Sequence, residues 1–136
     1  MKIKLEPWAI APTRAHATDA GLDLYSPFPA HLAAYQSVVI DTGVHVQLPP
    51  GTAGLLVSKS GLNINHNIDS TGLIDEGYTG SIKVRLCNNC ITPYDIGAGE
   101  KISQLVVLPV FYEPVEIVRE IEGGYRGDNG FGSTGR

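Results

Sequence analysis

The chain has 136 residues, 43% hydrophobic and 18% charged, and ten Lys and Arg against fourteen Asp and Glu give it a formal net charge of −4. This length predicts one domain with a substantial core, and the low charged fraction argues against a disordered chain. The acidic balance disfavours general binding to nucleic acid or to anionic membranes, because the chain has no diffuse basic surface to offer them.

Alternating apolar and polar residues predict short strands along most of the chain. In chain order the candidates are residues 2–5, 44–48, 55–57, 81–86, 105–108 and, near the C-terminus, 115–121. Residues 81–86 place Ile82, Val84 and Leu86 on one face, and residues 55–57 and 105–108 are more continuously apolar. The helical candidates are short, residues 30–35 or a turn at 102–104.

The 16 Gly and 9 Pro disfavour a helical bundle, because both residues interrupt helices. Turn signals recur about every ten residues, which is typical of an all-β sandwich, barrel or jelly roll. No apolar run is long enough to predict a membrane span, and the first residues lack the apolar region of a secretory signal. Two cysteines make no disulfide framework, so we expect a cytoplasmic protein.

The C-terminal residues differ in character from the rest. We divide the chain into a single β domain over residues 1–123 and a glycine-rich segment over residues 124–136 of the same domain. Such a segment buries little surface and fits a frayed terminus. It nevertheless carries Arg126, Phe131 and the Ser133–Thr134 pair, groups that suit a nucleotide's phosphates and base, so a lid that closes over a ligand is the alternative.

Common nucleotide and nucleophile motifs are absent from the sequence: there is no G-x-x-x-x-G-K-[ST], no G-x-G-x-x-G and no G-x-S-x-G. Instead, short polar clusters with glycine stand between the predicted strands, at residues 19–24, 58–62, 72–80 and 99–105, and the C-terminal segment forms a fifth. Each alone is weak, because loops of β proteins are often rich in Gly, Ser and Asp.

Taken together and in this order, the five clusters resemble the motifs of the homotrimeric deoxyuridine triphosphatases (dUTPases). Residues 72–80 and the Arg-Gly-x-x-Gly-Phe-Gly-Ser-Thr-Gly run at residues 126–135 are the most specific. The resemblance implies a β-rich jelly roll (β-clip) and hydrolysis of dUTP to dUMP and pyrophosphate with Mg²⁺. That reaction keeps uracil out of DNA and supplies dUMP for dTMP synthesis. The resemblance also implies a homotrimer whose three active sites lie between subunits.

The same resemblance assigns the catalytic groups. Asp75 matches the carboxylate that holds and deprotonates the attacking water, and a positioned base is what water needs to become a nucleophile. Arg126 matches an arginine that stabilises charge on the phosphates in the transition state. Asp23 matches the carboxylate that holds Mg²⁺ through water, in keeping with the tendency of Mg²⁺ to retain water ligands.

Further residues match the substrate-binding positions of the family. Tyr78 would pack against deoxyribose and exclude a 2′-hydroxyl, and a tight hairpin around it would read uracil through backbone groups. Lys83 would contribute its main chain, with its side chain facing outward. The substrate-binding residues implied by the resemblance are Lys59, Ser60, Gly61, Asp69, Gly72, Leu73, Ile74, Tyr78, Lys83, Gln104, Phe131, Gly132, Ser133 and Thr134.

The sequence departs from the family pattern at several of these positions. Lys59 replaces the usual Arg, which keeps the charge and loses the bidentate fork. Lys101 and Ser103 replace the more common Arg and Ala. Asp69 stands where many bacterial members carry Asn, and an ionised Asp cannot donate to a uracil carbonyl. Our hypothesis is that Asp69 turns away and that backbone groups read the base.

Two other functions compete with the pyrophosphatase. One is a dCTP deaminase, alone or combined with dUTPase activity on the same fold, which the full-length C-terminal segment disfavours. The other is a nucleotide-dependent regulatory protein that binds a partner. Cys87 and Cys90 form a C-x-x-C pair, but zinc would need two more ligands of matching spacing, and the sequence offers none.

Overall fold

The computed structural model describes residues 1–127, which contain ten strands and one short helix. In chain order these are β1 (Lys2–Leu5), β2 (Leu22–Tyr25), β3 (Ala30–Leu32), β4 (Ser37–Gln47), β5 (Thr52–Ser58), α1 (Ser60–His66), β6 (Ile68–Asp69), β7 (Thr71–Ile74), β8 (Ser81–Asn88), β9 (Tyr94–Ile96) and β10 (Lys101–Pro109). The predicted all-β jelly-roll class is confirmed. Within residues 1–127 no helix is both long and apolar enough to span a membrane.

Two four-stranded antiparallel sheets form the body of the fold. The first has the order β1-β4-β8-β6, and the second has the order β2-β10-β5-β7. A small two-stranded sheet pairs β3 with β9. Because one hydrophobic cluster draws residues from both four-stranded sheets, the core lies between their inner faces.

Alternation along β8 illustrates how the sequence builds this core. Ile82, Val84 and Leu86 are at most 1% exposed, as the period of two predicts, and Lys83 and Arg85 between them face outward. Burying each such side chain contributes on the order of 1.5–3 kcal/mol. The predictions for β5 and β10 were less accurate, because Leu56 and Leu105 are buried whereas Leu108 is 43% exposed.

Both helical predictions were wrong. Residues 30–35 begin with β3, and residues 102–104 lie within β10. The helix instead covers Ser60–His66 and buries only Leu62, so it has no apolar stripe by which its sequence could reveal it. Asn67 ends the helix in the left-handed conformation, a position that Asn tolerates.

The predicted strand at residues 115–121 was also wrong. The sheets end at Pro109, and residues 110–127 form no strand. This segment exposes a series of large apolar side chains: Phe111, Tyr112, Val115, Ile117 and Ile121. None of these side chains belongs to the buried core that residues 1–127 form.

Candidate functional site

The residues of the candidate site lie mainly in two groups at opposite edges of the second sheet. The first, which we call the ion-pair cluster, consists of Asp23, Lys59, Lys101 and Gln104. The second, which we call the 75–80 turn, carries Asp75 and Tyr78 between β7 and β8. Each group has a distinct geometry.

Asp23 is the centre of the ion-pair cluster and is only 4% exposed. Its Oδ1 accepts a hydrogen bond from Lys59 Nζ at 2.6 Å, and its Oδ2 lies 2.8 Å from Lys101 Nζ. Burial raises the pKa of the Asp23 carboxyl, but hydrogen bonds and charge from Lys101 and Lys59 outweigh burial and hold the pKa below its ordinary value. The carboxylate is therefore ionised at neutral pH and neutralised by two ammonium groups.

Lys101 is a member of this cluster that the sequence did not identify as a site residue. It begins β10 and reaches Asp23 across the β10–β2 ladder. Together with Lys59 and Gly61 it lines a cavity of about 280 Å³ beside the start of α1. The available signal was its place three residues before Gln104, in the fourth polar cluster.

Gln104 lies directly opposite Asp23 in the β10–β2 register and donates from Nε2 to the Ser58 carbonyl at 3.0 Å. Gly21 is required for this placement, because a Cβ at that position would lie 2.0 Å from Gln104 Oε1. The sequence placed Gly21 in a polar cluster without giving it this role.

Ser60 and Gly61 open α1 and are both exposed. A Cβ added at Gly61 would meet no atom within 4 Å, so the backbone there is open to a ligand.

The 75–80 turn is closed by a hydrogen bond from Tyr78 N to the Asp75 carbonyl at 3.0 Å. Asp75 is exposed, and Tyr78 is 44% exposed with its hydroxyl donating to the Ser81 carbonyl at 3.0 Å. Gly80 lets the Tyr78 ring lie close, since a Cβ there would be 2.5 Å from the hydroxyl oxygen.

The prediction of a tight hairpin around Tyr78 was wrong. β7 pairs with β5 in the second sheet, whereas β8 pairs with β4 and β6 in the first, and among residues 1–127 no ladder joins β7 to β8. The turn therefore carries the chain from one sheet to the other. Crossing between layers buries Ile74 and Ile82 in the shared core on either side of it.

The other predicted residues of this region lie around the turn. Leu73 is 65% exposed, whereas the Ile74 side chain is buried, so Ile74 can meet a ligand only through its backbone. The Gly72 backbone packs over Leu56. Lys83 faces outward from β8, as predicted.

Asp69 is engaged within the protein. One carboxylate oxygen accepts a hydrogen bond from Asn63 Nδ2, and the other accepts one from Asn89 Nδ2 at 2.7 Å. This arrangement ties α1 to β6 and to the end of β8. It favours the hypothesis that Asp69 does not read the base, which stays a prediction.

Of the site residues predicted in the C-terminal segment, the structure describes only Arg126. Arg126 lies in a turn at the end of the described chain. Phe131, Gly132, Ser133 and Thr134 lie outside the described residues.

Within one chain the two groups are far apart. Ile74, directly before Asp75, lies opposite Gly54 near the start of β5, whereas Lys59 follows the last residue of β5. At a rise of about 3.3 Å per residue, the strand from Gly54 to Lys59 spans about 17 Å. Lys59 is also held toward Asp23 in β2, at the opposite edge of the sheet from β7.

Comparison with known proteins gives consistent matches. The family model for dUTPase matches residues 8–135. The deoxyuridine 5′-triphosphate nucleotidohydrolase of Clostridium acetobutylicum is 42% identical over 135 residues, covering 97% of this chain and 93% of that protein.

Solved structures match as well. A variant of the Staphylococcus bacteriophage 80alpha dUTPase with dUpNHpp superposes with a TM-score of 0.91 at 32% identity, covering 99% of this chain and 98% of that one. A mutant dUTPase from phage phi11 of S. aureus, described with a structural Mg(II) ion, superposes with a TM-score of 0.82 at 31% identity, covering 90% of this chain and 98% of that one.

Proposed function

The chain belongs to the dUTPase family, and from that membership we propose that it hydrolyses dUTP to dUMP and pyrophosphate. The observation that carries this is the agreement of the whole chain, in sequence and in fold, with dUTP nucleotidohydrolases. The two groups in the second sheet supply the chemistry that this reaction needs, a carboxylate for water and cations for phosphate.

Asp75 is the proposed general base. The turn holds the Asp75 backbone, and the exposed carboxylate is open to water and substrate. It orients a water molecule and takes its proton as the oxygen attacks phosphorus. A positioned base of this kind contributes about 10²–10⁴-fold to the rate.

The ion-pair cluster is the proposed phosphate site. Two lysines against one aspartate leave a net positive charge beside the open backbone of Gly61 and the hydroxyl of Ser60. Phosphate oxygens would take hydrogen bonds from Lys59, Lys101 and Gln104. Because the ammonium groups are already held in place, little side-chain entropy is lost when the substrate binds.

Nucleoside recognition is proposed to involve the region of the 75–80 turn. The half-exposed Tyr78 ring would offer a flat face to deoxyribose and would exclude a 2′-hydroxyl by its bulk. The backbones of Gly72, Leu73, Ile74 and Lys83 would read uracil, and Phe131 would stack on the base. Gly132, Ser133 and Thr134 would close over the terminal phosphate, with Arg126 stabilising the developing charge.

Asp23 is the single carboxylate proposed to hold Mg²⁺. Residues 1–127 contain no group of three or more His, Cys, Asp or Glu that would hold a cation by themselves. Asp23 has spare lone pairs on both oxygens, which suits contact through metal-bound water while the substrate supplies the other oxygens. Mg²⁺ bound there would neutralise charge on the triphosphate.

The distance between the two groups supports a site shared between subunits. A water held by Asp75 must approach within about 3–3.5 Å of the phosphorus it attacks. Within one chain, Gly54, the β5 residue opposite Ile74, lies about 17 Å of strand from Lys59, and Lys59 is held away from β7. We therefore propose a homotrimer in which each ion-pair cluster works with Asp75 of another copy.

Pyrophosphate release with Mg²⁺ from dUTP, dCTP, dTTP and UTP tests the function. We expect turnover of dUTP alone. Ammonia release from dCTP would identify a deaminase instead, and absence of turnover with all four nucleotides would contradict the proposal.

Mixing two inactive variants tests the shared site. One carries Asp75→Asn, and the other ends at residue 123, which leaves the sheets intact because they end at Pro109. Denatured and reassembled together, they should recover activity that neither shows alone. Mixed trimers without any recovered activity would contradict a site built from several chains.

A further inference from the structure

The carboxylate next to Asp75 links three parts of the chain. Glu76 Oε2 accepts a hydrogen bond from the Gly51 amide at 2.9 Å and another from the Tyr112 hydroxyl at 2.7 Å. Gly51 lies in the turn that leads into β5, and Tyr112 lies three residues beyond the end of β10. Glu76 is thus the common acceptor for two segments that are distant in sequence.

The backbone strengthens the same link. Val110 N donates to the Gly51 carbonyl at 2.9 Å, so Gly51 holds the post-β10 segment through its oxygen and Glu76 through its nitrogen. Gly51 has a φ of +73°, a conformation that favours glycine. The turn before β5, the 75–80 turn and the beginning of the C-terminal segment therefore form one hydrogen-bonded unit.

This unit surrounds the proposed base. Asp75, Glu76 and Tyr112 line a cavity of about 310 Å³ together with Leu73 and Val110. The hydrogen bond to Glu76, then burial and the charge of Glu76, and last the charge of Asp75 raise the pKa of Tyr112. The hydrogen bonds from Tyr112 and Gly51 lower the pKa of Glu76. Tyr112 thus lies within the electrostatic reach of both carboxylates.

Glu76 occupies the position after Asp75 within the closed turn, so the hydrogen bonds of its side chain restrain that turn. The same bonds stabilise the Glu76 carboxylate against repulsion by the neighbouring Asp75 carboxylate. Bonded to Gly51 and Tyr112, Glu76 is kept on the β5 side of the turn.

We propose that Tyr112 and Glu76 are positioning residues for the reaction: their hydrogen bond holds the turn that presents Asp75 and sets where the C-terminal segment leaves the sheet. This inference rests on the proposed function. The base and the start of the segment that carries Arg126 are then fixed relative to one another by one side-chain contact.

Three substitutions test the proposal: Tyr112→Phe, Glu76→Ala and Glu76→Gln. Tyr112→Phe and Glu76→Ala should each lower kcat about tenfold to a hundredfold, the scale expected when a reacting group is misplaced by about 1 Å. KM for dUTP should change less than kcat, because the proposed phosphate contacts lie in the ion-pair cluster, outside the turn. Glu76→Gln keeps an oxygen acceptor and should retain kcat within about threefold.

The double variant Tyr112→Phe/Glu76→Ala should be no slower than the slower single variant, since both remove the same contact. Tyr35→Phe is a matched control, because Tyr35 is 66% exposed in the loop between β3 and β4. Its kcat should equal that of the unaltered enzyme. An unchanged kcat in Tyr112→Phe, a rise in KM at constant kcat, or equal loss in Glu76→Gln and Glu76→Ala would each overturn the proposal.

Amide hydrogen exchange separates this proposal from the proposed function. The Gly51 and Val110 amides should exchange faster in Glu76→Ala than in the unaltered protein and in Glu76→Gln, whatever substrate the enzyme uses. Unchanged exchange of both amides would overturn the hydrogen-bonded unit. If the exchange rates of the three proteins differ as expected but the unaltered protein does not hydrolyse dUTP, the hydrogen-bonded unit stands and the proposed function is overturned.

Discussion

The ion-pair cluster and the 75–80 turn lie at opposite edges of the second sheet and differ in burial, charge and pairing. The Asp23 carboxylate is buried, ionised and paired with Lys59 and Lys101. Asp75 and Tyr78, in contrast, are exposed at a turn between sheets. A buried charge is tolerated only when it is paired, so the cluster is complete within one chain. The exposure of the turn agrees with the proposal that another copy presents the substrate to it. The proposed site thus consists of a preassembled half and an exposed half.

Of the substitutions considered, Asp75→Asn should have the largest effect on the reaction, because it removes the proposed base from the exposed half. Losing the base should lower kcat by about 10³-fold, within the range for general bases. Affinity for a non-hydrolysable dUTP analogue should stay within a few-fold, since the phosphate contacts lie in the ion-pair cluster.

Steady-state kinetics and calorimetry measure these two quantities. Asp95→Asn is the matched control, because the Asp95 side chain is 87% exposed on β9 and pairs with His31, which belongs to neither half. A loss of analogue affinity as large as the loss in kcat would make Asp75 a binding residue instead.

Asp23→Ala should disrupt the preassembled half and lower the stability of the protein. Removing the carboxylate leaves two ammonium groups side by side without a counter-charge, and we expect the free energy of unfolding to fall by about 3 kcal/mol. Asp75→Ala, in the exposed turn, should change it by less than about 0.5 kcal/mol. Urea denaturation checks the contrast, and equal stabilities of the two variants would contradict it.

Lowering the pH should weaken the preassembled half, because its ion pairs require an ionised Asp23. The folded-state pKa of Asp23 lies below the ordinary value of 3.8, so its contribution to stability is fully present above pH 3.8. That contribution is lost as the pH falls below 3.8 through the lowered pKa. The free energy of unfolding of Asp23→Asn should therefore vary less with pH in this acid range than that of the unaltered protein, as followed by denaturation at a series of pH values.

Gly80→Ala should sharpen the role of the exposed half in sugar selection. The added methyl displaces the Tyr78 ring, whose hydroxyl oxygen would be 2.5 Å away, so the preference for dUTP over UTP should fall about tenfold, or about 1.4 kcal/mol. Gly77→Ala is the control, since a Cβ there meets nothing within 4 Å. Equal selectivity of the two variants would remove Tyr78 from sugar recognition.

Lys83→Ala should have the smallest effect. Its side chain faces outward from β8, so a contribution made through the backbone predicts a change in KM below about twofold. Asp69→Asn should likewise alter KM for dUTP by less than about tenfold, because both carboxylate oxygens are engaged by Asn63 and Asn89. Kinetics with dUTP measure both, and a larger change at Lys83 would show that its charge meets the substrate.

Patterns among residues close in sequence predicted the structural features that depend only on such neighbours. The alternation of Ile82, Val84 and Leu86 gave the buried face of β8, because side chains two apart on a strand share a face. The same reasoning failed for α1, whose one buried residue leaves no period to detect. It also failed for residues 115–121, where an apolar stretch finds no strand to pair with among the described residues.

By itself, the sequence determined the all-β class, the order of the five motifs and the identities of Asp75, Lys59 and Gln104 as candidate residues. Only the tertiary structure decided that Lys101 pairs with Asp23 and that β7 and β8 belong to different sheets. It also decided that Ile74, the residue before Asp75, pairs with β5 about 17 Å of strand from Lys59. The reason is physical. Alternation depends on neighbours along the chain, whereas ion pairs and distances between sites depend on strand order and register, which bring together residues that no short pattern connects.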